Sequence, residues 1–162
     1  MEPADVAIVG GGIVGSAVAY FLAVERRFPG RIAIVERDPS YRDSSTARSA
    51  GGVRQQFSTP ENIAMSLFTL ATFRRLKTLF GADADVSFRE QGYLILGSAD
   101  GAKVLGENVA SQQSMGADIA LMDAAGLTAC FPWLAADGVA AGGFGRSGEG
   151  WFDPPSLAGL FR

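Results

Sequence analysis

The chain has 162 residues, 48% hydrophobic and 19% charged, with 14 basic against 17 acidic side chains and a net charge of -3 at pH 7. That composition excludes disorder and suits one full core plus part of another, and with no basic run longer than a pair it gives nucleic acid no footing. A single cysteine excludes an internal disulfide, and the lack of histidine leaves a zinc site short of ligands and a histidine-based triad out of reach.

In chain order, the start MEPADVAIVGG has no basic region ahead of an apolar run, so no signal peptide is predicted. No apolar stretch nears the roughly 18 residues of a membrane span, and a soluble cytoplasmic protein is the expectation. Val6 to Val9 form a short apolar strand bounded by glycines, and the apolar run through Ala17, Val18, Phe21, Leu22 and Val24 has helical length. Between them Gly10, Gly12 and Gly15, with Ile13 and Val14 among them, give the G-x-G-x-x-G spacing of a strand turning sharply into a helix. Gly10 permits the turn, Gly12 lets backbone approach a diphosphate, and Gly15 lets the helix pack against the strand. The orphan N–H groups of the helical first turn, backed by its dipole, attract negative charge. With 21 glycines in the chain the spacing alone says little, but Arg31 to Glu36 add a second apolar strand ending in an acid, 21 residues past Gly15. Glu36 is thus placed to accept from a ribose hydroxyl, and its charge opposes a 2'-phosphorylated cofactor. A strand–helix–strand dinucleotide site is the reading.

Pro39 to Thr59 is rich in Ser, Gly and Arg with little periodicity. So long a polar connection needs a function or a hidden helix; it is read as wrapping a cofactor, with one short helix started by Ser44 or Ser45. Thr59 reads as an N-cap, Pro60 as the first helical residue, and Ile63, Leu67, Leu70, Phe73, Leu76 and Phe80 as the apolar face of one helix of about five turns. Arg74, Arg75 and Lys77 are its solvated end, and Gly81 stops it. A strand starting near Phe88 and another over Gly92 to Leu96 follow, then a helix from Lys103 to Met115 stopped by Gly116, and a strand from Ile119 to Met122. Asp123 caps a short helix, Ala124 to Ala129. Cys130 opens an apolar turn and reads as a small buried hydrophobe. Val139 to Phe144 suggest a further strand, and Asp153 with Pro154 and Pro155 starts a last helix that Arg162 cuts off, so the chain reads as truncated.

IVGGGIVG at 8–15, VERD at 35–38 and STARSAGGVRQQF at 45–57 resemble the family of FAD-dependent oxidoreductases that includes D-amino acid oxidase, glycine oxidase and sarcosine oxidase. The 45–57 segment is most similar to the branch of sarcosine oxidase beta subunits and FAD-dependent oxidoreductase domain-containing proteins, and REQGYLIL at 89–96, FPWL at 131–134 and GWFDP at 150–154 extend the likeness. The resemblance implies an α/β fold: a Rossmann-like FAD-binding βαβ unit followed by the start of a mixed α+β substrate domain. It implies residues 1–85 as the N-terminal part of the FAD domain, 86–148 as the start of the substrate domain, and 149–162 as an incomplete return. Gly10, Gly12 and Gly15 would meet the FAD diphosphate, Glu36 the ribose and Arg37 the adenine edge. Ser45, Thr46 and Arg48 would cross the diphosphate, and Gly51 and Gly52 would approach the flavin. Noncovalent FAD is expected, since no histidine lies near 45–57 to form a flavin linkage.

The implied chemistry is oxidation of the C–N bond of an amino acid or N-methylated amine, with hydride passing to flavin N5 and an imine as product. Dioxygen or an electron-transfer partner would then reoxidise the flavin, and a partner subunit is allowed. Arg54 and Gln55 are the candidates for contact with flavin or substrate carboxylate. The rivals are a flavin enzyme for another small substrate such as a 2-hydroxy acid or a glycerol phosphate, a noncatalytic or split-subunit FAD-binding fragment, and an NAD-dependent dehydrogenase.

Overall fold

The structure, a computed structural model, describes residues 3–162. Its elements in chain order are β1 (Val6–Val9), α1 (Ile13–Tyr20), a π-helical segment (Phe21–Glu25), β2 (Ile32–Val35), β3 (Gly52–Val53), α2 (Pro60–Arg74), α3 (Leu76–Phe80) and β4 (Arg89–Glu90). Then follow β5 (Leu94–Gly97), α4 (Ala102–Ser114), β6 (Ile119–Asp123), α5 (Ala124–Cys130), β7 (Ala141–Gly145), β8 (Gly150–Trp151) and α6 (Pro154–Phe161). They fall into two compact units. The first takes the chain up to Gly51 with Phe80–Ser87 and Phe152–Arg162, the second Gly52–Leu79 and Phe88–Trp151. Among the described residues no helix is long and apolar enough to cross a membrane.

In the first unit the β-branched runs VAIV and IAIV favour strands, and β1 and β2 pair in parallel, Val6 opposite Ile32 through Val9 opposite Val35. The βαβ unit foreseen in the sequence is therefore present. Its helix starts earlier than Gly15, because Gly12 is the N-cap. After Tyr20 the helix widens by one residue per turn, the Arg26 N–H donating to the Phe21 carbonyl at 2.9 Å. Tyr20 lies 5.0 Å from Phe80 and 5.3 Å from Phe161 between ring centroids, an aromatic cluster joining α1 to α6. Asp153 caps α6, accepting from Ser156 N–H at 2.9 Å, as its place before two prolines predicts.

The second unit carries an antiparallel sheet in the order β5-β7-β6. One face of α4 covers it through Leu105 and Val109, which pack with Ala117, Ile119 and Ala141. Ile119 and Leu127 are fully buried, each contributing about 1.5–3 kcal/mol by leaving water. A second small antiparallel sheet has the order β3-β8-β4. Asp123 caps α5 as expected, accepting from Gly126 N–H at 2.8 Å.

Three expectations need correction. The segment after Pro39 holds no helix at Ser44 or Ser45; it is a run of hydrogen-bonded turns, Tyr41 N–H to Asp38, Ser44 N–H to Tyr41 and Arg48 N–H to Ser44. The single five-turn helix is two: α2 ends at Arg74, the N–H of the capping Arg75 turns back to Thr72, and α3 begins at buried Leu76. The hydroxyls of Thr69 and Thr72 draw on the carbonyls of Met65 and Phe68, a local competition that weakens a helix near its end. Cys130 is exposed, because short α5 buries Leu127 and ends at Cys130 on the surface. The two-residue strands β3 and β8 were not foreseen, being too short for any period to show.

Candidate functional site

The first unit builds a tight knot around the start of α1. Gly10 takes φ +96°, a left-handed conformation that only glycine enters without strain, and its N–H donates to the Val35 carbonyl at 2.8 Å. A Cβ at Gly15 would overlap the Gly10 carbonyl, so glycine is required there by packing alone. Buried Ser16 donates its hydroxyl to the Gly11 carbonyl at 2.8 Å, fixing the turn from below.

Two side chains from elsewhere in the same unit reach the turn. Glu36, at the end of β2, accepts the Gly11 N–H at 2.7 Å with one carboxylate oxygen and the Asp38 N–H at 3.0 Å with the other. These two amides, Asp38 first and Gly11 second, hold its carboxyl below the ordinary value. The buried Thr46 hydroxyl accepts the Ile13 N–H at 3.0 Å, taking up one orphan donor of the helix start. Gly12 itself has no side-chain cap, and Val14 on the first turn is 76% exposed. The first turn thus presents open backbone at the positive end of a helix dipole, the chemistry that suits a diphosphate.

Beside this turn lies a cleft of roughly 290 Å³ lined by Glu36, Arg37, Asp38, Tyr41, Asp43 and Ser44. Its Tyr41 hydroxyl lies close over Gly11, and the Arg162 guanidinium stacks on the Tyr41 ring at 4.0 Å. The cleft is mixed in charge and opens next to the carboxylate of Glu36, which keeps lone pairs for a ribose hydroxyl. These features fit the adenosine and diphosphate portions of a dinucleotide.

The knot therefore gathers Gly10, Gly12, Ile13, Val14, Gly15, Glu36 and Thr46, with Arg37 on the adjoining cleft. Ser45 and Arg48 face outward, and Arg48 pairs with Asp43 at 2.6 Å. Gly51 is buried at φ +66°, where a Cβ would strike the Phe152 carbonyl. Gly52, Arg54 and Gln55 belong to the second unit. Gly52 is an exposed residue of β3, Arg54 is exposed with its guanidinium 4.7 Å over the Phe57 ring, and Gln55 is buried with its side-chain amide donating to the Ser147 carbonyl. Sequence reasoning missed Tyr41 and Asp43 on the cleft and Glu149 beneath Gln55. Glu149 lay between two glycines just ahead of the last helix signal, which was the only trace it left.

Residues 5–162 match the model of the family described as DAO, FAD dependent oxidoreductase. The chain is 45% identical over 167 residues to the FAD-dependent oxidoreductase domain-containing protein 1 of Xenopus laevis, an alignment covering 99% of this chain and 34% of that protein. The protein of that name from Bos taurus is 42% identical, over 94% of this chain and 33% of its own length. The chain spans about a third of the length of these curated relatives. Among solved structures it is similar to L-proline dehydrogenase from P. horikoshii, with TM-score 0.79 and 25% identity over 99% of this chain and 41% of that one. Glycine oxidase from Bacillus cereus gives TM-score 0.67 and 25% identity over 98% of this chain and 42% of that one.

Proposed function

This chain belongs to the FAD dependent oxidoreductase family, and we propose that it is part of an enzyme oxidising the C–N bond of an amino acid or N-methylated amine to an imine. One observation carries the cofactor half of that reading: the Gly10–Gly15 turn, tied to Glu36 and Thr46 at the open end of α1. In this reading the backbone of Gly12 and Val14 faces the diphosphate, Ile13 between them is held by the Thr46 hydroxyl, Gly15 keeps the helix close enough to do so, and Glu36 accepts from the ribose with Arg37 beside the adenine. Ser45, Thr46 and Arg48 edge the diphosphate, and Gly51 and Gly52 carry the chain onward toward the flavin. FAD, when bound, supplies the two-electron acceptor. Noncovalent binding, typical of the family, fits residues that include no histidine and a single cysteine exposed on α5.

The substrate half is supported by names: the similar structures are an L-proline dehydrogenase and a glycine oxidase, both acting on small amino acids. Arg54 is the residue of choice for the substrate carboxylate, because an exposed guanidinium steadied on an aromatic ring offers a planar fork of donors to it. Dioxygen or an electron-transfer protein takes the electrons afterwards. A place near the sarcosine oxidase beta subunit-like branch rests on the 45–57 segment and on the likeness to the domain-containing relatives. Residues 86–148 begin the substrate domain, and in the split arrangement a partner subunit completes the enzyme.

The test is purification of the full-length protein, its visible spectrum, and a panel of sarcosine, glycine, proline and D-amino acids beside a 2-hydroxy acid and glycerol phosphate. A flavin spectrum bleached anaerobically by one of the amines is the expected result. Bleaching only by a hydroxy acid or glycerol phosphate would replace the substrate class, and a protein that takes up no FAD would sink the whole reading.

A further inference from the structure

Glu149 is fully buried in the second unit, and among the described residues no ion pair reaches it. Four N–H donors converge on it. One carboxylate oxygen accepts from the backbone of Gln55 at 2.6 Å and Gln56 at 3.1 Å; the other accepts from Gln56 Nε2 at 2.9 Å and the Tyr93 backbone at 3.2 Å. The orientation of the Gln56 amide is unambiguous, because its Nε2 also donates to the Tyr93 carbonyl and both its neighbours are acceptors only. Room for the carboxylate comes from Gly145, where a Cβ would overlap it. Burying such a group costs several kcal/mol unless donors surround it; four do so here, and they leave the Gln56 Oε1 buried without a partner, so the arrangement serves some purpose beyond filling space.

Its neighbour along the chain supplies the purpose. Gly150 pairs with Val53 across β3 and β8, so Val53 is gripped just before Arg54. Glu149 grips the amides of Gln55 and Gln56 just after it. Two consecutive residues thus clamp the backbone on both sides of Arg54, and the turn closes with the Phe57 N–H on the Gln55 carbonyl at 2.9 Å, setting the Phe57 ring under the guanidinium. We propose that Glu149 is a positioning residue, a buried clamp that holds the Arg54 guanidinium in the one attitude that receives a substrate carboxylate. The proposal rests on the reading of Arg54 given above.

Glu149→Gln keeps the shape but sets an NH2 group against either pair of N–H donors. In the full-length protein with FAD bound, acetate and benzoate serve as carboxylate probes, their Kd read from the change in the flavin spectrum. Glu149→Gln is expected to weaken acid binding about 10- to 100-fold with flavin content unchanged. Arg54→Gln should weaken it at least as much, and the double variant no further, since the clamp acts only through the guanidinium. Glu149→Asp, a carboxylate one methylene short, should fall between the unaltered protein and Glu149→Gln, and carries the test if Glu149→Gln does not fold. Acid binding untouched by either Glu149 variant, losses that add in the double variant, or flavin content falling in step with acid affinity would each overturn the proposal while leaving Arg54 in place. Acid binding untouched by Arg54→Gln would overturn the Arg54 reading itself, and the clamp with it.

Discussion

The two units solve the burial problem differently. In the second, an antiparallel sheet is covered by α4, and Ile63, Val109, Ile119 and Leu127 are at most 1% exposed. In the first, a parallel pair of strands leaves Val9 88% and Val35 57% exposed. Parallel strands are stable when both faces are covered, and the residues of this unit do not supply that cover. The unit that carries the Gly10–Gly15 knot therefore adds hydrogen bonds and aromatic contacts to a small set of buried residues, Val86, Leu157 and Ala158 among them, and the unit that carries Arg54 is held by a larger packed core. A knot of this kind is sensitive to single atoms; a core is sensitive to volume.

That contrast can be broken at its strong end first. Ile119→Ala should cost the second unit about 2–5 kcal/mol, seen as a lowered urea midpoint. In the first unit Gly15→Ala drives a Cβ into the Gly10 carbonyl and should cost about 1–3 kcal/mol, with FAD content of the full-length protein falling alongside. Were Gly15→Ala silent in both readouts, the knot would not be the organising feature of its unit. Thr46→Val, nearly isosteric, strips the Ile13 N–H of its acceptor; a loss of about 1–3 kcal/mol is expected in the first unit and none in the second. Val9→Thr sharpens the comparison from the other side. In the 162-residue chain it should stay within about 0.5 kcal/mol, whereas a larger cost in the full-length protein would show that the strand face is covered there.

The smallest effect is one of pH. Glu36 has its carboxyl held below the ordinary 4.5 by the Asp38 and Gly11 amides. An acid depressed on folding adds stability above its unfolded value, and that stability is lost as the pH falls through the folded one. Stability measured against pH should therefore drop below about 4.5 in the unaltered protein, by an increment that Glu36→Gln removes. An unchanged acid limb in Glu36→Gln would mean that the Gly11 contact is not made in solution.

Much of this was legible in the residues because the signals are local. The runs VAIV and IAIV, the caps Asp123 and Asp153, and the stop at Gly116 each depend on neighbours within a few positions, and all appear where the sequence put them. The break at Arg75 was hidden because the apolar period runs on through Leu70, Phe73 and Leu76 while the helix beneath it turns. Cys130 was misjudged because its apolar neighbours, Phe131 and the 77% exposed Trp133, lie in a surface turn. The hydrogen bonds of Glu149 link it to Gln55 and Gln56, more than ninety positions earlier, and no periodicity carries that distance.

The first unit is assembled from three separated stretches, and α1 meets its partner helix only when Tyr20 and Phe21 find Phe161. On the ribosome, with about 5–20 residues added per second, the opening strand and helix must wait on the order of 5–20 s after Gly51 emerges for that closing stretch. Every residue of the second unit has been added before then. Within these residues synthesis thus runs inward-out: the second unit has all of its residues before the first has its closing stretch, and the Gly10–Gly15 turn, made at the outset, gains its partner helix only then.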